Sequence, residues 1–167
     1  FMEIIPAQLQ HLPAILDIYD HARTFMPQAG NPTQWGDGYP QKTLLEEDIA
    51  LGRLWVAKEG ETLHCAFVFC PGPEPIYEES AEACWPDDGP YWVIHRIASA
   101  GLQKGVGAVC IQWCLEQCAS LRIDTHPDNL PMQHTLEKCG FCRCGRVYYG
   151  DSPRVAFQKY GALYKQN

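Results

Sequence analysis

The chain has 167 residues and a formal charge of −7 at pH 7, which fits one domain able to bury roughly two thirds of the surface its unfolded form exposes. The negative charge argues against nucleic acid or an anionic membrane as the main partner, since both require a basic surface, and it favours small cationic substrates. Nine cysteines at irregular spacing fit reduced thiols better than a secreted disulfide framework; no apolar run reaches the length of about 18 residues that a bilayer span needs, and the N-terminus lacks a leader pattern, so a cytoplasmic location is expected.

Met2 to Ile5 reads as a short strand ended by Pro6. From His11 onward Leu12, Ile15, Leu16 and Tyr19 recur at helical spacing with Pro13 in the first turn, which predicts an amphipathic helix ending near Phe25 or Met26. Pro27 to Pro40 contains three prolines and three glycines around Trp35 and Tyr39, too broken for a regular element. Two readings fit it: a loop pinned to the core by Trp35, or a wall of a substrate site. Thr43 to Leu51 predicts a second helix closed by Gly52, and Leu54 to Lys58 and Thr62 to Phe69 predict strands joined at Glu59-Gly60-Glu61. Pro71 to Pro90 is proline-rich and acidic, with no Lys or Arg between Lys58 and Arg96; it reads as a solvated loop, with attraction of an amine as the second reading.

An apolar strand, Tyr91 to Ala98, is followed by a polar break, then Lys104-Gly105-Val106-Gly107-Ala108 and a helix free of Gly and Pro beyond that point. Two glycines at such a joint remove the Cβ atoms that would keep another molecule off the backbone, and the unpaired amides of the first helical turn carry the positive pole of the helix dipole. The joint suits a phosphate, with Lys104 adding a full charge, although the glycine pair alone also fits a plain turn. Leu121 to Thr125 predicts a further strand, Asp128 and Asn129 cap a helix from about Leu130 to Lys138, and Gly140 ends it. Phe141 to Tyr149 and Arg154 to Tyr160 then form two strands around Gly150-Asp151-Ser152-Pro153.

Strand, glycine loop, helix, strand, Asn-capped helix and Gly-Phe, taken in this order over roughly Trp92 to Tyr160, resemble the acyl-CoA-binding half of the GNAT acetyltransferases. The resemblance implies an α/β fold of the acyl-CoA N-acyltransferase type, a mixed, mostly antiparallel sheet of about seven strands flanked by about four helices, within a single domain over residues 1–167. It implies acetyl-CoA as cofactor. The loop, from Gln103 and Lys104 through Gly105, Val106, Gly107 and Ala108, would hold the CoA diphosphate, and the strand around Ile97 and Ala98 would bond the pantetheine arm and acetyl carbonyl. Asn129 matches an asparagine at the mouth of the family's next helix. The family loop usually opens with Gln or Arg, a position that falls on Leu102 here, with Gln103 beside it. The tyrosine that many members carry four residues before the helix-ending glycine, where it can protonate the departing thiolate, is Leu136.

Acetyl transfer to an amine needs a neutral nitrogen, a polarised carbonyl and a proton for the leaving thiolate. His95 is the first candidate base, on the strand two residues before Ile97 and expected to share a face with Val93 and Ile97; a strand histidine can equally be a hydrogen-bonded core residue. His126, at the carboxyl end of the next strand, is the second. Asp124 could orient it, or pair with Arg122 or Arg96. Tyr148, Tyr149 and Cys139 are candidate acids, and transfer without a side-chain acid is also open. Trp35 and Tyr39 are the expected acceptor-binding residues. Cys139, Cys142 and Cys144 could begin a zinc site, but a fourth ligand at suitable spacing is missing, and Cys142 and Cys144 are expected on one strand face as small apolar residues; no metal is expected. Cys110, Cys114 and Cys118 read as a packed helical stripe.

The expected function is therefore an N-acetyltransferase acting on a primary amine of a small molecule or peptide by direct attack in a ternary complex, with no nucleic-acid or membrane partner; a homodimer is compatible with the sequence. The alternatives are a non-catalytic acyl-CoA-binding or sensory module of the same fold and a cysteine-rich metal or redox protein.

Overall fold

The computed structural model describes residues 1–166. In chain order the elements are β1 (Glu3–Pro6), a 3-10 turn (Leu9–His11), α1 (Leu12–Gln28), α2 (Lys42–Ala50), β2 (Leu54–Glu59), β3 (Thr62–Pro71), α3 (Pro75–Glu79), β4 (Trp92–Ser99), α4 (Val106–Gln117), β5 (Ser120–Thr125), α5 (Leu130–Lys138), β6 (Cys142–Tyr149) and β7 (Ser152–Tyr160). The strands form one mixed sheet in the order β1-β2-β3-β4-β5-β7-β6. Strand β4 runs parallel to β5 over Trp92–Ile94, whereas β1 with β2, β2 with β3, β5 with β7 and β6 with β7 are antiparallel. No helix among the described residues is long and apolar enough to cross a membrane.

The contacts group the chain into two compact units, Phe1–Phe69 with His95–Cys110, and Cys70–Ile94 with the chain from Ile111. In the first, α1 buries Leu12, Ile15, Ile18, Tyr19 and Ala22, the stripe its periodicity dictates. The helix does not stop before Pro27 as expected but runs through it to Gln28. Pro27 forfeits the bond its N–H would donate to Arg23 O, and the helix nonetheless continues through it because the ending is built beyond it. Gly30, at φ +86, donates to Pro27 O, and Asn31 N donates to Met26 O at 2.8 Å, the Schellman pattern that a left-handed residue after the helix permits. The same ending closes α2 at Gly52 and α5 at Gly140. On α2 the inward residues are Leu45 and Asp48, both fully buried, and β2 and β3 complete this core with Val56, Ala57 and the run Cys65–Phe69.

In the second unit Tyr77, Tyr91, Val93, Cys144, Val147 and Ala156 form one cluster. The acidic segment after β3, expected to be a plain solvated loop, contains α3 and is tied down by aromatic packing. Trp85 lies 5.2 Å from Tyr77, its indole N–H donates to Tyr77 O, and the Arg122 guanidinium stacks 4.2 Å from the Trp85 ring and 4.0 Å from the Tyr91 ring. Arg122 is buried and donates to Gln158 Oε1 and Asp87 O, both at 2.8 Å. A buried guanidinium is tolerated when its N–H groups and its faces are both occupied.

Candidate active site

The glycine joint lies in the first unit. Strand β4 leaves through Ile97 and the buried Ala98; Ala100 N donates to His64 O at 2.9 Å, and Gly101 N to Ser99 Oγ at 3.2 Å. Gly101, at φ +75, sits under the His21 imidazole of α1, where a Cβ would come within 2.5 Å of Nε2, so this turn admits no other residue without displacement. Leu102, Gln103, Lys104 and Gly105 are exposed. Gly105 has φ +81, and around both Gly105 and Gly107 an added Cβ would meet nothing within 4 Å. The first bond of α4 runs from Val109 N to Gly105 O at 3.1 Å, so the amides of Val106, Gly107 and Ala108 lie ahead of the intrahelical ladder. An open, exposed helix start with an adjacent lysine has the geometry and charge to accept a phosphate.

Just before this joint β4 is interrupted. Arg96 has φ +50, in the left-handed region that costs a non-glycine residue of order 1–3 kcal/mol. The interruption breaks the strict alternation that would place His95 and Ile97 on one face, because that argument holds only for unbroken strand; His95 and Ile97 are both half-buried on either side of it. Three groups hold Arg96 there. The Tyr19 hydroxyl donates to Arg96 O at 2.5 Å. The Asp48 carboxylate accepts from Arg96 Nη2 at 2.9 and 2.8 Å and from Nε at 3.2 Å, and also from Arg53 Nε at 2.6 Å. Nη1 donates to the Tyr39 hydroxyl at 3.2 Å.

Trp35 stands 5.6 Å from Tyr19 and 6.3 Å, edge-on, from Tyr39, while Arg23 Nη1 donates to Tyr39 O. The loop that carries the expected acceptor residues is thus fastened to α1 and β4. Sequence reading missed this arrangement. The available signal was Asp48 three residues after Leu45 on the apolar stripe of α2, a buried-carboxylate pattern that requires a cationic partner. Tyr19→Phe, which removes the hydroxyl and leaves the Arg96 carbonyl without that donor, is expected to lower stability by about 1–2 kcal/mol in urea unfolding; an unchanged midpoint would contradict this role.

The second unit contains the other candidates. His126 is buried, and its Nδ1 accepts from Asp128 N at 3.0 Å, so the lone pair is engaged in the turn leading to α5. Burial first, then the nearby Arg154, pushes its pKa below the ordinary histidine range. Asp124 accepts from the Tyr77 hydroxyl at 2.6 Å and the Tyr149 hydroxyl at 3.3 Å, whereas Arg96 pairs with Asp48 and Arg122 with Gln158 and Asp87. Tyr148 lies on β6, and its hydrogen bond to Glu82 raises its pKa. Asn129 is the N-cap of α5, its Oδ1 accepting from Met132 N at 3.2 Å. Leu136 is fully buried, so the position at which the resemblance implies a tyrosine is an apolar core site here.

Cys139 has its pKa raised by burial, and Cys144 is held up to about 11 by the same cause, so both thiols stay protonated near neutrality. Cys144 is buried but Cys142 is exposed, which corrects the expectation that both pack on one face; the β6 register against β7 shifts between Arg143 and Arg146. Cys110, Cys114 and Cys118 are all buried, and no group of three or more His, Cys, Asp or Glu able to hold a metal ion occurs among the described residues.

Burial, followed by Lys58, also lowers the pKa of His11. With His11 and His126 both depressed, the unfolded chain takes up protons near pH 6.5 that the folded chain resists, so this part of the stability is present above about pH 6.5 and is lost on acidification. The urea midpoint is expected to fall between about pH 7.5 and pH 5.5; a midpoint that rose would contradict the assignment.

A mixed sheet whose interrupted strand leads into a glycine-opened helix start defines an α/β acyltransferase fold. No protein-family model matches the chain, and no curated protein matches it. Among solved structures, the GNAT-family acetyltransferase from Streptococcus agalactiae 2603 is 31% identical, with a TM-score of 0.87 over 99% of this chain and 96% of that one. The chain belongs to the GNAT family of acetyltransferases. More distant likenesses speak for the fold alone: a GNAT-family acetyltransferase from Listeria monocytogenes 4b F2365, 20% identical at TM-score 0.70 over 95% and 94% of the two chains, and yncA from Salmonella typhimurium, solved with its cofactor acetyl-CoA, 14% identical at TM-score 0.63 over 99% and 96%.

Proposed function

We propose that this chain transfers the acetyl group of acetyl-CoA to a primary amine of a small molecule or peptide, by direct attack in a ternary complex. The observation that carries the proposal is the start of α4, which follows the exposed residues 102–105 and where Gly105 and Gly107 leave open the space a Cβ would fill while the first amides lie ahead of the helical ladder. Those amides, with Gln103, Lys104, Val106 and Ala108, would hold the diphosphate, and the backbone of Ile97 and Ala98 would align the acyl arm. Bound acetyl-CoA supplies a thioester carbonyl open to attack. His95, beside the interruption in β4, takes the proton of the incoming ammonium so that its nitrogen can act as nucleophile. Trp35 and Tyr39 form the acceptor wall.

His126 is better suited to fixing the turn before α5 than to proton transfer, since its Nδ1 already accepts a backbone hydrogen bond. Tyr148 is engaged with Glu82; with His95 holding the first proton of the ammonium, the second, released as the amide forms, would pass through solvent to the departing thiolate, so no side-chain acid is required. The buried Leu136 favours a second reading, an acyl-CoA-binding module without turnover. An amine panel assayed with acetyl-CoA by release of free thiol separates the two: turnover with at least one amine is expected. Tight acetyl-CoA binding without thiol release across the panel would favour the module.

A further inference from the structure

The acceptor wall contains a pair of hydrogen-bond donors that the fold does not use. Arg96 has five N–H groups. Nε and Nη2 face the Asp48 carboxylate, and Nη1 places one N–H on the Tyr39 hydroxyl oxygen at 3.2 Å. Among the described residues no group accepts the second N–H of Nη1, and none accepts the hydroxyl proton of Tyr39, whose oxygen is already the acceptor. The two donors are neighbours because they are bonded to each other, and both sit at the exposed end of the network: Tyr39 is 37% exposed, while Asp48 behind them is fully buried.

The local charge opposes that of the chain as a whole. A single buried carboxylate faces the guanidiniums of Arg96 and Arg53, leaving one positive charge in excess on a chain of net charge −7. Charges more than about 8–10 Å away are screened by solvent and salt, so this cluster counts for more at the site than the distant carboxylates do. Two adjacent donors, one of them cationic, suit the two oxygens of a carboxylate, and Trp35 beside Tyr39 adds an apolar face. Arg96 also immediately follows His95, the proposed base.

We propose that the acceptor amine carries a carboxylate, as an amino acid or a peptide with a free C-terminus does, and that Arg96 Nη1 and the Tyr39 hydroxyl hold it. This rests on the acetyl-transfer reading for the amine end and on the geometry of Arg96 and Tyr39 for the acid end. The test is titration calorimetry of the full chain with N-acetyl-L-phenylalanine and with its C-terminal amide, which compares acid with neutral group in a product-like ligand and requires no turnover. The acid is expected to bind about tenfold to a hundredfold tighter than the amide, the range of a charge-assisted pair.

Tyr39→Phe, a change at an exposed hydroxyl, is expected to reduce that acid-to-amide ratio about fivefold to tenfold, and Arg96→Gln, checked for folding by circular dichroism, to abolish it. Equal affinities, a tighter amide, or no binding of the acid at millimolar concentration overturns the proposal, as does a ratio that Tyr39→Phe leaves unchanged. Acid-selective binding in a chain that acetylates no amine would keep the carboxylate site and remove the transfer reading, so the two failures are distinguishable.

Discussion

Replacing Gly107 by tryptophan is expected to leave the fold intact and to reduce acetyl-CoA affinity at least a hundredfold, about 2.7 kcal/mol. The fold should survive because a Cβ at Gly107 meets nothing within 4 Å and because tryptophan is a better helix former than glycine. Any loss of binding is then steric occupation of the space in front of the α4 amides rather than damage to the protein. Gly105 is a poorer site for the same test: its φ of +81 would add backbone strain to any substitution. Calorimetry with acetyl-CoA, alongside the thermal midpoint of each protein, reads both parts. A variant that binds as the parent does would remove the loop from the cofactor site.

Asp48→Ala should be the most destabilising single change in the first unit, costing about 3–5 kcal/mol, a large share of the 5–15 kcal/mol that holds a typical domain folded. The carboxylate is fully buried and accepts from both Arg96 and Arg53, so its removal leaves two partly buried guanidiniums without their counter-charge. The damage would spread along the network. Arg96 would lose the contacts that fix its side chain at an unfavourable φ, and Tyr39 would lose its anchor on β4. Denaturant unfolding measures the effect, and a loss below about 1 kcal/mol, the range of an exposed pair, would show that Asp48 is not the organising group.

Much of the fold could be read from local chemistry. The Asn129 cap and Gly140 give α5 its observed limits, Leu130–Lys138, and the glycine pair marks the start of α4 at Val106. Both are decided within a few residues, so the sequence displays them directly. Pro27 was misleading because the cost of one missing i→i−4 bond is offset by the ending that follows, and the real stop is Gly30. The acidic segment hid α3 because its order comes from Trp85 and Tyr91 clasping Arg122, partners more than thirty residues apart in sequence. The site divides in the same way. Its glycine loop is local and legible; the Tyr19–Arg96–Asp48 network joins α1, β4 and α2, and no spacing rule connects those positions. Cys142 and Cys144 differ in burial, against the expected alternation, because the register of β6 against β7 shifts between Arg143 and Arg146.

The central claim is that amides at the start of α4 grip the cofactor's diphosphate, and an amide-resolved NMR titration with CoA tests it most directly. The backbone N–H signals of Lys104 to Ala108 are predicted to show the largest shifts in the first unit and to titrate together with a single affinity. CoA binding observed in the same sample, with those five signals unmoved, would contradict the account.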